Sequence, residues 1–400
     1  MRVLACVLLL LVLCWATPVA AASVPPPTTI PTPAAVPGPC IDNTPSGPGD
    51  PRTRMCVPSS GWNGDLIVFA HGYVAPGEPL AVPDPIIGSA PLSALIQTLG
   101  YAYATTSYRR NGLAVLEGIE DVRALIAAFP AVTQKVPAHT YLLGFSEGAL
   151  ISTLLAERSR TLVSGVIAGC GPIGDFRQQT EYFGDFRVLF DYFFPGKLPP
   201  SAIAIPQSAI DTWASTYAPA IGAAVAAAPN TAAQLIATSG AATDLGNPKT
   251  VISTTLDLLW YNVFSTNDAA AQLGGNPFGN RSRVYGGSAN DTALNAGVAR
   301  FDASAAALAS IDAYQTRGWP QVPLVVLHTT LDPIVPFAQF TRYQAKVQAQ
   351  RSPNVSFVPV ERYGHCTFTS GEILAAFNAL LQRVATPRPQ IYVPVAAIQP

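Results

Sequence analysis

The segment Gly144-Phe145-Ser146-Glu147-Gly148 constrains this chain more than any other. It stands directly after the apolar run Thr140 to Leu143 and directly before the run Ala149 to Leu155. A buried strand that turns this quickly into a helix brings the two backbones into close contact. Glycines on either side of Ser146 remove the Cβ atoms that such contact forbids, and the serine hydroxyl is left exposed at the apex. The bare pattern G-x-S-x-G arises easily by chance, and Ser146 could then be no more than a small residue at a tight turn. Set between a strand and a helix, the pattern points instead to a nucleophile. The Glu147 side chain reads as favourable negative charge at the helix N-terminus.

Two later segments offer partners for that hydroxyl. Val322 to His328 reads as a fully buried parallel strand, and Thr329 to Pro333 as its exit loop. Asp332 is thereby placed at the carboxyl end of a core strand, where the functional groups of open α/β sheets collect; its bland reading is a turn-former before Pro333. Val355 to Val360 reads as a last short strand, followed by a loop carrying His365 and by a helix from Glu372 to Val384. The chain has 4 histidines, so His365 has few rivals. His139 precedes the elbow strand at its wrong end. His71 lies in an HG pair after the apolar run from Leu66 and is a structural residue or a substrate contact. His328 ends the strand before Asp332 and either supports the site from behind or contacts a substrate. A serine hydroxyl is a poor nucleophile near neutral pH unless an imidazole takes its proton, and a carboxylate must hold that imidazole in the correct tautomer.

In GFSEG, LDPIVP, YGHC and the upstream HGY, the chain resembles the secreted, carboxylesterase-like serine hydrolases of the α/β-hydrolase fold. The resemblance covers residues 65–170 and 322–384. It implies an α/β architecture, a mostly parallel central sheet flanked by helices, with a large, mainly helical cap insertion between the two stretches. It also implies Ser146 as nucleophile, Asp332 and His365 as its relay, and an oxyanion hole made by the backbone N–H groups of Tyr73 and Glu147. Ester hydrolysis without a cofactor is the family's prevailing chemistry. An amidase, a peptidase or an acyltransferase would use the same constellation.

Composition narrows the partners. Only 12% of residues are charged and the formal net charge is −1, which gives nucleic acid or an anionic membrane nothing to attract. An uncharged ester, small or derived from a polymer, fits better, with apolar or aromatic acyl groups favoured. Met1-Arg2, the apolar run Val3 to Trp15 and the small residues Ala20 to Ala22 read as a signal peptide over residues 1–22. That run is too short for a stable membrane anchor, so a secreted, extracellular or periplasmic protein is expected. The remainder divides into a Pro-rich arm (23–60), a first part of the core (61–171), the cap (172–318), a second part of the core (319–385) and a Pro-rich tail (386–400).

Cleavage would leave Cys40, Cys56, Cys170 and Cys366, an even number with three possible connectivities. Cys40–Cys56 is favoured, because it closes a loop of about 15 residues worth roughly 3 kcal/mol. Cys170–Cys366 would then tie the strand after the elbow helix to the His365 loop. No Cys/His cluster has metal-ligand spacing, so no metal is expected. The aromatic stretch Tyr182 to Phe194 is expected mainly to pack as core, with Phe190 and Phe194 reaching the substrate pocket.

Overall fold

A computed structural model describes residues 35–385, apart from Ser46, Pro48 and Gly88. The expected signal peptide, the start of the arm and the tail lie outside the described residues. Eight strands form one sheet: β1 (Cys40–Asp42), β2 (Thr53–Cys56), β3 (Leu66–Ala70), β4 (Ala102–Thr106), β5 (Thr140–Phe145), β6 (Gly165–Gly169), β7 (Leu324–Leu331) and β8 (Val355–Tyr363). Their order across the sheet is β1-β2-β4-β3-β5-β6-β7-β8. All pairs from β4 onward are parallel, while β2 runs antiparallel to both β1 and β4. This is the α/β-hydrolase fold.

Helices α1 (Leu92–Thr98), α2 (Val115–Thr133) and α3 (Glu147–Arg158) connect the strands of the first half. Between β6 and β7 the chain inserts α4 (Phe176–Phe193), α5 (Gln207–Asp211), α6 (Ala218–Ala227), α7 (Pro229–Ser239), α8 (Thr250–Leu273), α9 (Asp291–Gly297) and α10 (Ala305–Ile311). Helix α11 (Ala338–Gln350) follows β7, and α12 (Ser370–Ala385) follows β8.

The strand period of two sorts the core into faces. Leu66, Val68 and Ala70 of β3 point to one face, with Leu125 of α2, Leu150 and Leu154 of α3 and Phe340 of α11. Ile67 and Phe69 point to the other, with Ile96 of α1 and Phe377 and Leu380 of α12. The central strands are buried on both sides, which is why they read as continuous apolar runs. The insertion has its own core, built around Phe186, Phe190, Leu258, Leu259 and Val263. Within it the fully buried Arg187 links α4 to α8, donating to Asp191, to Asn262 Oδ1 at 3.0 Å and to the Pro199 carbonyl. Among the described residues no single helix is long and apolar enough to cross a membrane.

One segment departs from the sequence reading. Residues 40–56, expected within the Pro-rich arm of residues 23–60, supply β1 and β2 and extend the sheet beyond β4. Backbone pairing with β4, from Thr53↔Thr106 to Cys56↔Tyr103, outweighs the local Pro/Gly composition. The Cys40–Cys56 disulfide joins the two strands where they pair directly.

The elbow explains itself sterically. A Cβ on Gly148 would lie 2.1 Å from the Ala70 carbonyl oxygen, and one on Gly144 would lie 2.1 Å from the Gly148 oxygen. Helix α3 can cross β3 and β5 this closely only with glycine at both positions. Gly148→Ala must therefore push α3 away from β3. We expect a loss of about 2 kcal/mol or more in urea unfolding, since the obstructing atom is backbone. A variant as stable as the parent would contradict this packing.

Candidate active site

Ser146 occupies the turn between β5 and α3 with φ 56° and ψ −123°, a left-handed backbone that a non-glycine residue adopts only under constraint. Its N–H donates to the Gly169 carbonyl at 2.9 Å, which holds the turn against the neighbouring strand. The side chain remains partly exposed.

The exit loops of β7 and β8 bring Asp332 and His365 to the same point. Asp332 is 2% exposed, and its Oδ1 accepts from the N–H groups of Ile334 and Val335, both at 2.9 Å. Its Oδ2 lies 2.8 Å from His365 Nδ1. A carboxylate can only accept there, so Nδ1 carries the proton and Nε2 presents a lone pair. That Nε2 lies 2.9 Å from Ser146 Oγ. Three residues separated by 219 positions in sequence thus form one continuous hydrogen-bonded chain.

The His365 loop is held from three sides. Gly364 has φ 110°, its N–H donates to the Leu331 carbonyl at 3.1 Å, and its own carbonyl accepts from Thr329 Oγ1 at 2.6 Å. The next residue, Cys366, is bridged to Cys170 just beyond β6. Cys170, His365 and Cys366 cluster closely enough to suggest a metal site, but the disulfide occupies both sulfurs.

Beside Ser146 runs the loop after β3. Gly72 packs so tightly that a Cβ there would come within 3.1 Å of the Ser146 Cβ. His71 Nδ1 donates to the Gly72 carbonyl at 2.7 Å. In a trans peptide the carbonyl and the following N–H point in opposite directions, so this bond turns the Tyr73 N–H away from His71. Tyr73 is anchored from the insertion: its hydroxyl donates to the Phe264 carbonyl at 3.2 Å, and its ring packs against Trp260 and Tyr261 of α8. Glu147 is the first residue of α3, where helix geometry supplies no acceptor for its N–H.

Tyr73, Ser146 and Glu147 line a cavity of about 110 Å³ roofed by the insertion. Its walls are mostly apolar, with Leu113, Phe176, Phe183, Tyr261, Phe278 and Ile334 prominent. The rings of Phe183 and Tyr261 stack at 5.0 Å.

Four residues expected against a substrate lie elsewhere. Phe190 and Phe194 stack on each other at 5.3 Å inside the insertion core and do not line the cavity. Phe190 shares a stripe of α4 with Phe176 and Phe183, but it lies about 10 Å further along the axis than Phe183, beyond the cavity. His71 is buried, stacked on Tyr108 at 4.1 Å, and burial lowers its pKa. His328 is fully buried, its Nε2 donates to the Val335 carbonyl at 2.8 Å, and burial lowers its pKa too. Both histidines support loops rather than face the cavity. Phe183 belongs to the aromatic stretch from which pocket rings are expected. Phe176, Tyr261 and Phe278, which also line the cavity, come from three separate parts of the insertion and are not singled out by the sequence. Only the seven-residue spacing of Phe176 and Phe183 was visible as a signal.

Glu147 also differs from expectation. Its side chain is 8% exposed and turned inward, with Oε1 accepting from the Ala114 N–H at 3.0 Å. Burial pushes its carboxyl up to about 8, against the opposing effect of that hydrogen bond, while Asp268 and Glu117 add further upward pressure. At neutral pH the residue is an uncharged acid and not a helix-end charge.

No protein-family model matches the chain, and no curated protein matches it in sequence. Solved structures that resemble it are distant. Feruloyl esterase B from Aspergillus oryzae superposes with a TM-score of 0.44 at 14% identity, over 82% of this chain and 73% of that one. An esterase of Pyrococcus furiosus gives 0.43 at 12% identity, over 87% and 90%. An acylaminoacyl peptidase of Pyrococcus horikoshii gives 0.39 at 11% identity; 83% of this chain is covered but only 38% of the peptidase. Likeness this remote bears on neither reaction nor substrate.

Burial of Glu147 makes stability depend on pH. An unfolded glutamate ionises near 4.5, so between there and about 8 the native state holds one proton more than the unfolded chain. From this group stability falls as pH rises through that window, by about 1.4 kcal/mol per unit, and levels off above it. Glu147→Gln keeps the acceptor for Ala114 and removes the slope. Its melting temperature relative to the parent is therefore expected to climb from pH 5 to pH 8.5. A difference between the two proteins that does not change with pH would show that the carboxyl titrates normally.

Proposed function

We propose that this chain is an exported serine hydrolase that cleaves carboxylic esters of apolar or aromatic acyl groups. The observation that carries the reading is the unbroken contact from Asp332 through His365 to Ser146, with its two hydrogen bonds of 2.8 and 2.9 Å. In the reaction, Ser146 Oγ attacks the ester carbonyl while His365 Nε2 takes its proton. The imidazolium then returns that proton to the departing alkoxide, leaving an acyl group on Ser146. Water, deprotonated by the same nitrogen, attacks the acyl-enzyme, and the imidazolium protonates Ser146 Oγ as the acyl bond breaks and the acid is released. Asp332 holds the tautomer and balances the imidazolium charge.

The negative oxygen of each tetrahedral intermediate is assigned to the N–H groups of Tyr73 and Glu147. Both residues flank Ser146, and the hydrogen bond from His71 to the Gly72 carbonyl orients the first of them. The insertion acts as a cap whose inner wall shapes the pocket. Apolar walls and a neutral Glu147 favour an uncharged group within it. Export is supported by the apolar leader of residues 3–15 and by two disulfides, which persist in oxidising compartments.

Ser146→Ala is expected to lower turnover of a p-nitrophenyl ester by about four to six orders of magnitude while the protein stays folded. Labelling by a fluorophosphonate should map to the Ser146 peptide and vanish in the variant. Near-parental activity in a folded Ser146→Ala protein would remove the nucleophile, and with it the reading. Faster cleavage of a matched anilide than of the ester would make the enzyme an amidase.

The disulfide beside the histidine gives a second test. Cys170→Ala combined with Cys366→Ala frees the His365 loop from β6. The double variant is expected to lose about tenfold or more in kcat with a smaller change in KM, as a displaced catalytic group does. Parental kcat in that protein would show that Gly364 and Thr329 suffice to hold the imidazole.

A further inference from the structure

We propose that the cavity selects esters whose buried portion carries an uncharged hydrogen-bond donor, a hydroxyl, and that Gln179 is the residue that reads it. The inference rests on the ester-hydrolase reading above and narrows its substrate class. Gln179 sits on α4 in the cavity wall, between Phe176 and Phe183, and is 4% exposed. Its Nε2 donates to the Ile334 carbonyl at 2.8 Å, in the loop that carries Asp332. A carbonyl can only accept, so the orientation of the amide is fixed and its other atom must be the oxygen. That atom, Oε1, is buried and has no hydrogen-bond partner.

A buried acceptor without a donor is uncommon, and such groups call for an explanation. No neighbouring polar group provides one, and the amides and aliphatic hydroxyls nearest it on the cavity wall are engaged elsewhere. Asn262 donates to the Ala202 carbonyl and to Thr266 Oγ1, and its oxygen accepts from Arg187. Asn276 donates to the carbonyls of Phe278 and Asp302. The hydroxyls of Thr180, Ser265 and Thr266 turn back onto carbonyls of their own helices. Among the described residues that line the cavity, Gln179 alone has a buried polar atom without a hydrogen-bond partner.

The missing donor must be uncharged. The surrounding walls are apolar and the one acid there, Glu147, is held in its neutral form, so an ammonium would lose its hydration without gaining a counter-charge. A hydroxyl loses little on entry and gains the acceptor. A site built around a substrate hydroxyl rejects the analogue that lacks it far more strongly than an apolar wall rejects a changed chain length. The hydroxyl could belong to the acyl chain or to the alcohol, and matched substrates separate these sources.

The test compares kcat/KM for p-nitrophenyl 6-hydroxyhexanoate against p-nitrophenyl hexanoate, and for 6-hydroxyhexyl acetate against hexyl acetate. In the parent protein one of the two pairs should favour the hydroxylated member by about tenfold or more. Gln179→Met, close in volume but without the acceptor, should bring that ratio near one. Loss of the bond to Ile334 alone would slow both members of a pair alike and leave the ratio standing, so the ratio isolates the acceptor. The same pairs are then titrated by calorimetry into the Ser146→Ala protein, where no turnover is needed. A preference for the hydroxylated ester that disappears on adding Gln179→Met supports the assignment. Ratios near one in both pairs, or a preference indifferent to Gln179, overturn it, and water is then the partner of Oε1. Absence of turnover in the parent together with a Gln179-dependent binding preference would sink the reaction and spare the pocket.

Discussion

Close approach of α3 to the end of β3 is the constraint from which the rest of the site follows. With no side chain at Gly148, the helix backbone rests against the carbonyl oxygens of Ala70 and His71. The chain between β5 and α3 then has too little room for an ordinary turn, and Ser146 is forced to φ 56°. A backbone in that region costs on the order of 1–3 kcal/mol and persists only where its surroundings over-determine it. Here they do: the Gly169 carbonyl holds the Ser146 N–H, while Gly72 and Gly171 crowd in without side chains. The strain aims one hydroxyl at the carboxyl edge of a parallel sheet, where the loops after β7 and β8 also emerge.

The insertion then fixes those loops relative to one another. Helix α8 contacts three of them: Phe264 takes the Tyr73 hydroxyl, Asp268 accepts from the Leu113 N–H and from Arg110, and Thr254 pairs with the Tyr363 hydroxyl at 2.8 Å, two residues before His365. Helix α4 adds a fourth tie, from the Tyr182 hydroxyl to the Pro333 carbonyl beside Asp332. A helical pair so connected is part of the frame that sets distances among Tyr73, Asp332 and His365. Any motion that lifted α8 would have to break polar contacts to the loops after β3, β4 and β8 together. The insertion is thus coupled to the geometry beneath it, and moving α8 and disturbing those loops would be one event.

What the sequence disclosed and what it hid divide along the range of the forces involved. GFSEG is legible because strand, turn and helix are neighbours in sequence, so their steric conflict is written locally. The positions of Asp332 and His365 are legible for a similar reason, each lying a few residues past a strand of unmistakable apolar character. Residues 40–56 read only as part of a Pro-rich arm, because what makes them strands is pairing with β4, roughly fifty positions away, and nothing local announces it. Phe190 and Phe176 look alike in sequence; only the place where α4 crosses the site distinguishes a core ring from a pocket ring. The Glu147 side chain reads as a surface charge in sequence because nothing local announces that it turns inward to accept the Ala114 N–H. Burial is a tertiary property, and both the aromatic and the acidic errors are errors about burial.

Burial of that acid has a chemical consequence for the proposed reaction. The nucleophile is followed at once by a carboxyl group, and the backbone N–H of that same residue is assigned to the developing oxyanion. A charged carboxylate so near would oppose the negative charge the intermediate must carry, in surroundings too apolar to screen it. Desolvation resolves the conflict, because the wall that removes water from the carboxyl also keeps its proton on up to about pH 8. The neutral acid still has work to do: its Oε1 receives the Ala114 N–H at the start of α2, joining the elbow to the neighbouring helix. A glutamate beside the proposed nucleophile is therefore compatible with anionic intermediates only because the fold encloses it.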